Sequence, residues 1–197
     1  MVLIDTNQPR CPWAGSSPLM IAYHDDEWGI PCHDDQALFE RLVLESFQAG
    51  LSWATILRKR EHFRQVFAGW DIERIAAYGA DDVARLMQDA GIIRNRRKIE
   101  ATIQNARCFL AVQQEVGSFD RYIWAFVGGQ PLLRAAPPRW EDVPAHTPES
   151  NTLARNLRRR GFKMVGPTMC YALMQSIGMV NDHIQGCFKA AIATPDE

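Results

Sequence analysis

Apolar positions recur at helical spacing along most of the chain. Asp34 and Asp35 precede an arc of Leu38, Phe39, Leu42, Val43 and Phe47, which predicts a helix running to about Ala49 with Gly50 as its stop. A second helical segment follows from Ser52 to about Phe67. Ala80-Asp81-Asp82 begins another that ends at Gly91. Ile92 to about Val116 then reads as one long helix, with Ile99, Ile103, Ala106 and Leu110 on a shared face. No run of period-two alternation is long enough to build a sheet, so the expected class is all-α. Pro131 to Pro148, with Pro137, Pro138 and Pro144 within it, reads as a loop or linker.

The last third carries the most informative local pattern. Thr147-Pro148 is a helix N-cap followed by proline in the first turn, three arginines fill the last turn, and Gly161 can end the helix in a left-handed conformation. Phe162-Lys163-Met164-Val165 leads to Gly166-Pro167, a second helix start, and Thr168 to Ile177 continues from it. The result is helix, glycine-bounded hairpin, helix. Unpaired N–H groups at the start of the second helix, with Arg160 and Lys163 beside them, suit a phosphate, although the same spacing also serves simple packing.

Composition narrows the classes. A chain of 197 residues at 47% hydrophobic can bury a core without disulfide support. Neither a long apolar run nor a basic leader is present, so a cytoplasmic protein is expected. The cysteines, Cys11, Cys32, Cys108, Cys170 and Cys187, are odd in number and suit free thiols or metal ligands better than a disulfide framework. The net charge of −1 neither supports nor opposes nucleic acid. The charge is clustered, however: Arg58-Lys59-Arg60, Arg94 with Arg96-Arg97-Lys98, and Arg155 with Arg158-Arg159-Arg160 and Lys163. Such clusters are solvated helix faces or phosphate contacts.

Three constellations bear chemistry. His183 and Cys187 stand four apart, so a helical turn would put both on one face, and Cys11 with His24 offers a second pair for a closed, four-coordinate metal site. From spacing alone, core packing is the stronger explanation of the same residues, and Cys32-His33 is a rival pair too close in sequence for joint chelation. Glu45 lies at the margin of an apolar arc with Arg41 one turn before it. It is either a helix ion-pair partner or a desolvated acid that recognises a cation. Trp13, Tyr23, Trp28, Phe39, Phe47 and Trp53 crowd the same region, as core or as a stacking slot for an electron-poor base.

Several motifs resemble the bacterial 3-methyladenine DNA glycosylase I family of helix-hairpin-helix glycosylases. They are Cys11-Pro12-Trp13, Tyr23-His24-Asp25-Asp26-Glu27-Trp28-Gly29, Gln48-Ala49-Gly50-Leu51-Ser52-Trp53, Asp89-Ala90-Gly91-Ile92-Ile93-Arg94, Arg160-Gly161-Phe162-Lys163 and Val180-Asn181-Asp182-His183. The resemblance implies a structural zinc at Cys11, His24, His183 and Cys187. It also implies a base pocket with Glu45 as the catalytic acid group and Tyr23, Trp53, Trp13 and Trp28 around it, and DNA contacts from Gly161 to Gly166 with Lys163 and Arg94. The implied reaction is monofunctional hydrolysis of the N-glycosidic bond of 3-methyladenine in alkylated double-stranded DNA, the first step of base excision repair. The implied organisation is one catalytic unit over 1–197. It divides into a helical lobe over about 35–130, a helix-hairpin-helix over about 147–180, and zinc-tied ends at 1–34 and 180–197. Two other readings compete: a non-catalytic, zinc-stabilised DNA-binding module, and a hydrolase using Cys32 or Cys170.

Overall fold

Side chains that cap their own helix starts set most of the boundaries. In the computed structural model, which describes residues 8–190, Asp34 accepts from the Ala37 amide at the head of α2 (Asp35–Gln48), which follows α1 (Pro18–Asp26). Ser52 does the same for α3 (Trp53–Val66), and Thr147 and Ser150 form a reciprocal capping box at the helix beginning at Pro148. Short helices α4 (Ile72–Ala76) and α5 (Ala80–Gln88) lead to the long α6 (Arg96–Val116) and to α7 (Phe119–Trp124). The chain ends in α8 (Pro148–Arg159) and α9 (Pro167–Ser176). Among the described residues the extended backbone forms only an isolated bridge between Leu132 and Val180, so the fold is all-α. Also among the described residues, no helix is long and apolar enough to cross a membrane. The ends of the two expected zinc-tied segments, 1–7 and 191–197, lie outside the described residues.

Helix α2 is the central element, packed against α3, α6, α7 and α9. Phe39, Leu42, Val43 and Phe47 on it are fully buried, and a single main core surrounds them. Burying one such side chain stabilises the fold by about 1.5–3 kcal/mol, which outweighs the weak helix preference of Val and Phe. Phe47 faces Phe63 at 4.7 Å, and Phe39 faces Phe109 at 5.4 Å. These two rings therefore belong to the core and not to the aromatic slot.

Two expected helix boundaries differ. Residues 89–95 are not helical: α5 stops at Gln88, and α6 begins only at Arg96, capped by the Asn95 side chain. The reason is local bonding. The Asp89 carboxylate accepts from the Gly91 amide and from His62, and Lys59 donates to the carbonyls of Ala90 and Gly91. A Cβ at Gly91 would come within 2.0 Å of the His62 ring, so a larger residue there would displace His62 from Asp89. On α6 the buried face includes Phe109, while Leu110 is only half-buried.

Candidate functional site

Glu45 projects from α2, the central helix, and is itself buried. The helix ion pair with Arg41 gives way to tertiary contacts. Arg41 donates to the carbonyls of Ser176 and Glu27 and lies 3.6 Å from the Glu27 carboxylate. Burial pushes the Glu45 carboxyl up to about 8, against the opposing pull of the Arg41 charge and the Ser176 hydroxyl.

In front of Glu45 lies a cavity of about 470 Å³ lined by Trp13, Met20, Tyr23, Trp28, Trp53 and Trp140, with Gln48 and Gln175 among its polar groups. Its rings come from separate elements: Tyr23 from α1, Trp53 from the first turn of α3, Trp13 and Trp28 from the flanks of α1. Tyr23 and Trp53 touch, with centroids 5.1 Å apart and planes at 51°, so they form one wall and leave no space for a third ring between them. Trp13 and Trp28 meet edge-on at 5.1 Å. The indole N–H groups of Trp13 and Trp53 are buried without a partner, and both belong to slot-lining rings. Buried donors are seldom left unpaired, so a ligand acceptor is a natural occupant. Ser46 and Phe47 turn away, Ser46 bonding back to the Leu42 carbonyl and Phe47 entering the core.

A larger cavity of about 660 Å³ adjoins this slot through Glu45, Gln48 and Ala172, and its far side is Arg97, Arg158, Lys163 and Gly166. Here the hairpin of residues 160–166 joins α8 to α9. Gly161 sits at φ +91°, where a side chain is strained and a Cβ would lie 3.3 Å from the Cys108 sulfur. Arg158 donates to the Val165 carbonyl, and Asn105 on α6 pairs with Lys163, its side chain donating to the Lys163 carbonyl and accepting from the Lys163 amide. Asn105, almost fully buried, was not legible as functional in sequence; its signal was one amide on the buried face of a long helix. Arg94 is exposed but outside both cavities. The basic clusters also divide. Lys98 is buried and caps the end of α2 by donating to the carbonyls of Phe47 and Ala49, Arg60 pairs with Glu27 and Glu40, and Arg160 pairs with Glu115 at 2.6 Å.

Behind the slot, Cys11, His24, His183 and Cys187 converge, all four buried, with one ligand atom from each within 4.8 Å of the others. Cys11 Sγ lies 3.6 Å from His183 Nδ1, Cys187 Sγ lies 3.4 Å from His24 Nε2, and the two ring nitrogens are 3.2 Å apart. Ligands about 2.0–2.3 Å from one tetrahedral ion stand about 3.3–3.8 Å from each other, which matches these separations. The tautomers agree. His24 Nδ1 donates to Asp25, which Arg10 clamps, and His183 Nε2 donates to the Trp28 carbonyl. The His183 Nδ1 and His24 Nε2 lone pairs therefore point into one space, the latter also accepting from the Cys11 amide, an arrangement that suits a cation between them. The stretch from His183 to Cys187 is a turn with Gly186 at φ +84°, not the helical turn expected, and it brings the pair together all the same. Cys32 lies outside this set, its carbonyl accepting from the Trp124 indole.

This scaffold falls in the helix-hairpin-helix class of all-helical proteins. Within that class the chain belongs to the methyladenine glycosylase family, whose sequence pattern matches residues 13–190. It is 49% identical over 178 residues to the DNA-3-methyladenine glycosylase 1 of Escherichia coli K12, covering 90% of this chain and 95% of that one. A crystal structure of a 3-methyladenine DNA glycosylase I superposes with a TM-score of 0.90 at 51% identity, covering 93% of this chain and all of that chain. A Staphylococcus aureus enzyme of the same name, solved as the structural basis of 3-methyladenine recognition, gives 0.89 at 32% identity over 94% of this chain and 98% of its own.

Proposed function

We propose that this protein is a monofunctional DNA glycosylase that releases 3-methyladenine from alkylated double-stranded DNA. The observation that carries the reading is a buried acid, Glu45, at the meeting point of a ring-lined slot and a basic hairpin groove. Hairpin amides and Lys163 hold the strand by its phosphates, with Gly161 making the turn at φ +91° that presents them, Gly166 opening the second helix, and Arg94 adding charge from the exposed turn before α6. The damaged nucleotide leaves the stack at a cost of a few kcal/mol and enters the slot. Methylation at N3 gives the base a delocalised positive charge, which Tyr23, Trp53, Trp13 and Trp28 accept on their faces while Glu45 accepts hydrogen bonds from its edge. The C1′–N9 bond then breaks with its electron pair going to the base, which becomes neutral. Water adds to the oxocarbenium-like sugar and loses a proton. Glu45 favours the cationic base over neutral adenine, which gives selection, while the rate draws on the methylated base's own quality as a leaving group, held in place by the slot. Among the described residues the slot lining holds no lysine, which favours hydrolysis without a Schiff base and without strand cleavage.

We infer that the tetrad holds one structural zinc ion, since two thiols and two imidazoles closed to solvent are the donor set and geometry that zinc takes. A cytoplasmic location accords with five free cysteines. We treat the described chain as one catalytic unit, the helical lobe about 35–130 facing the helix-hairpin-helix 147–180 across the groove. The test is incubation with methylated duplex DNA and identification of the released base. Retarded DNA mobility with no purine released would favour the binding-module reading.

A further inference from the structure

Trp140 belongs to the segment of residues 131–148, whose sequence reads only as a proline-rich connection, yet its ring lines the slot with Glu45. It packs against Trp13 at 6.2 Å and Trp28 at 6.1 Å, and it joins the small apolar cluster around the slot, not the main core. Two anchors fix its loop. On one side Gln185 donates through its amide and side chain to the carbonyls of Pro137 and Ala136; on the other, Val143 packs on the main core. Between them a 3₁₀ turn over Trp140–Asp142 is closed by the Arg139–Asp142 ion pair. A loop held at both ends that offers one half-buried indole to a cavity is built to place that ring.

We propose that Trp140 is a specificity-determining residue of the base slot, closing its rim beside Trp13 and Trp28 and thereby limiting the size of the substituent carried by the bound base. The inference rests on the glycosylase reading above. Tyr23 and Trp28 are buried, whereas Trp13, Trp53 and Trp140 are only half-buried, so these three rings form the boundary between the slot and solvent, and Trp140 is the one contributed by the 131–148 loop. Removing the outer ring widens the mouth and takes away one π face from the occupant.

The experiment compares wild type with Trp140→Ala and Trp140→Phe in two assays. One is titration of free 3-methyladenine. The other is excision of 3-methyladenine against 3-benzyladenine from otherwise identical duplexes. Trp140→Ala is expected to raise the Kd for free 3-methyladenine roughly fivefold to tenfold and to shift the excision ratio toward the benzyl adduct. Trp140→Phe keeps both near wild type, and affinity for undamaged duplex and metal content stay unchanged. An unchanged excision ratio in folded, metal-loaded Trp140→Ala overturns the proposal, as does loss of metal together with base affinity. If the alanine variant fails to fold, Trp140→Leu supplies the same comparison. Failure of the glycosylase reading itself is seen separately, as a wild type that frees neither base, and the free-base titration then still tests the ring.

Discussion

A carboxyl group held by burial near a pKa of about 8 is protonated in the folded, empty protein at neutral pH, although it would be ionised in the unfolded chain above its ordinary 4.5. The native state therefore binds more protons than the unfolded state between about 4.5 and 8, and Glu45 lowers stability as pH rises through that window. An arriving cationic base reverses the balance by favouring the carboxylate, so docking expels the proton. Glu45→Gln removes the penalty and the recognition together. It is expected to melt higher than wild type at about pH 8.5, by on the order of 1 kcal/mol or more, with the gap closing toward pH 4.5. The same variant should excise 3-methyladenine at least roughly tenfold more slowly while binding undamaged duplex normally. Thermal melts across pH and single-turnover excision check both; a wild-type rate would return Glu45 to a purely structural role. In sequence, Glu45 at the margin of the apolar arc read equally as a partner for Arg41 one turn before it. That Arg41 would leave it for Glu27, just after α1, and for Ser176 of α9, 135 residues away, is contained in no local rule.

At the scale of the element, the hairpin works because it is held from outside. Lys163 is exposed at its tip and lines the groove, while the Asn105 side chain satisfies the backbone of that same residue from α6. Lys163→Ala should weaken binding to duplexes of any sequence and reduce the salt-dependence slope by about one, because a phosphate contact carries no base information. Loss confined to one sequence would contradict this. Asn105→Ala leaves a part-buried N–H and carbonyl of Lys163 without their side-chain partner, at a cost of about 1 kcal/mol. It should lower both Tm and duplex affinity, whereas Lys163→Ala lowers affinity alone. Helix, turn and helix were legible from Thr147-Pro148, Gly161 and Gly166-Pro167. The tether was not, since an asparagine on a helix announces no partner 58 positions on.

Over the whole molecule, the tetrad joins the segment around α1 to the turn at residues 183–187, and its histidines also back the slot. His24 lies 5.2 Å from Trp13, and His183 lies 4.6 Å from Trp28. Stripping the metal with a chelator, or substituting Cys187→Ala, should lower Tm by about 5 °C or more. Affinity for free 3-methyladenine should fall as well, because Trp13 and Trp28 lose their support, while duplex binding through the distant hairpin persists. Metal analysis, melting and base titration on the same samples check this. Unchanged base affinity in metal-free protein would uncouple the two sites.

The sequence by itself determined the class of fold, the starts of α2, α3, α8 and α9, and the residue types able to carry the chemistry, because caps, proline, glycine and 3.6-residue periodicity act within a few neighbours. It also held enough motif to point to the family. Tertiary structure alone decided which candidates meet. Cys11, His24, His183 and Cys187 converge from distant parts of the chain, Phe39 and Phe47 go to the core while Tyr23 and Trp53 go to the slot, Lys98 and Arg60 are consumed by internal partners, and Trp140 enters the slot from a loop. The physical reason is common to all four cases. Burial and close approach depend on the packing of α2 against α3, α6, α7 and α9, and on where two loops are anchored, and those contacts are set between residues far apart in the chain.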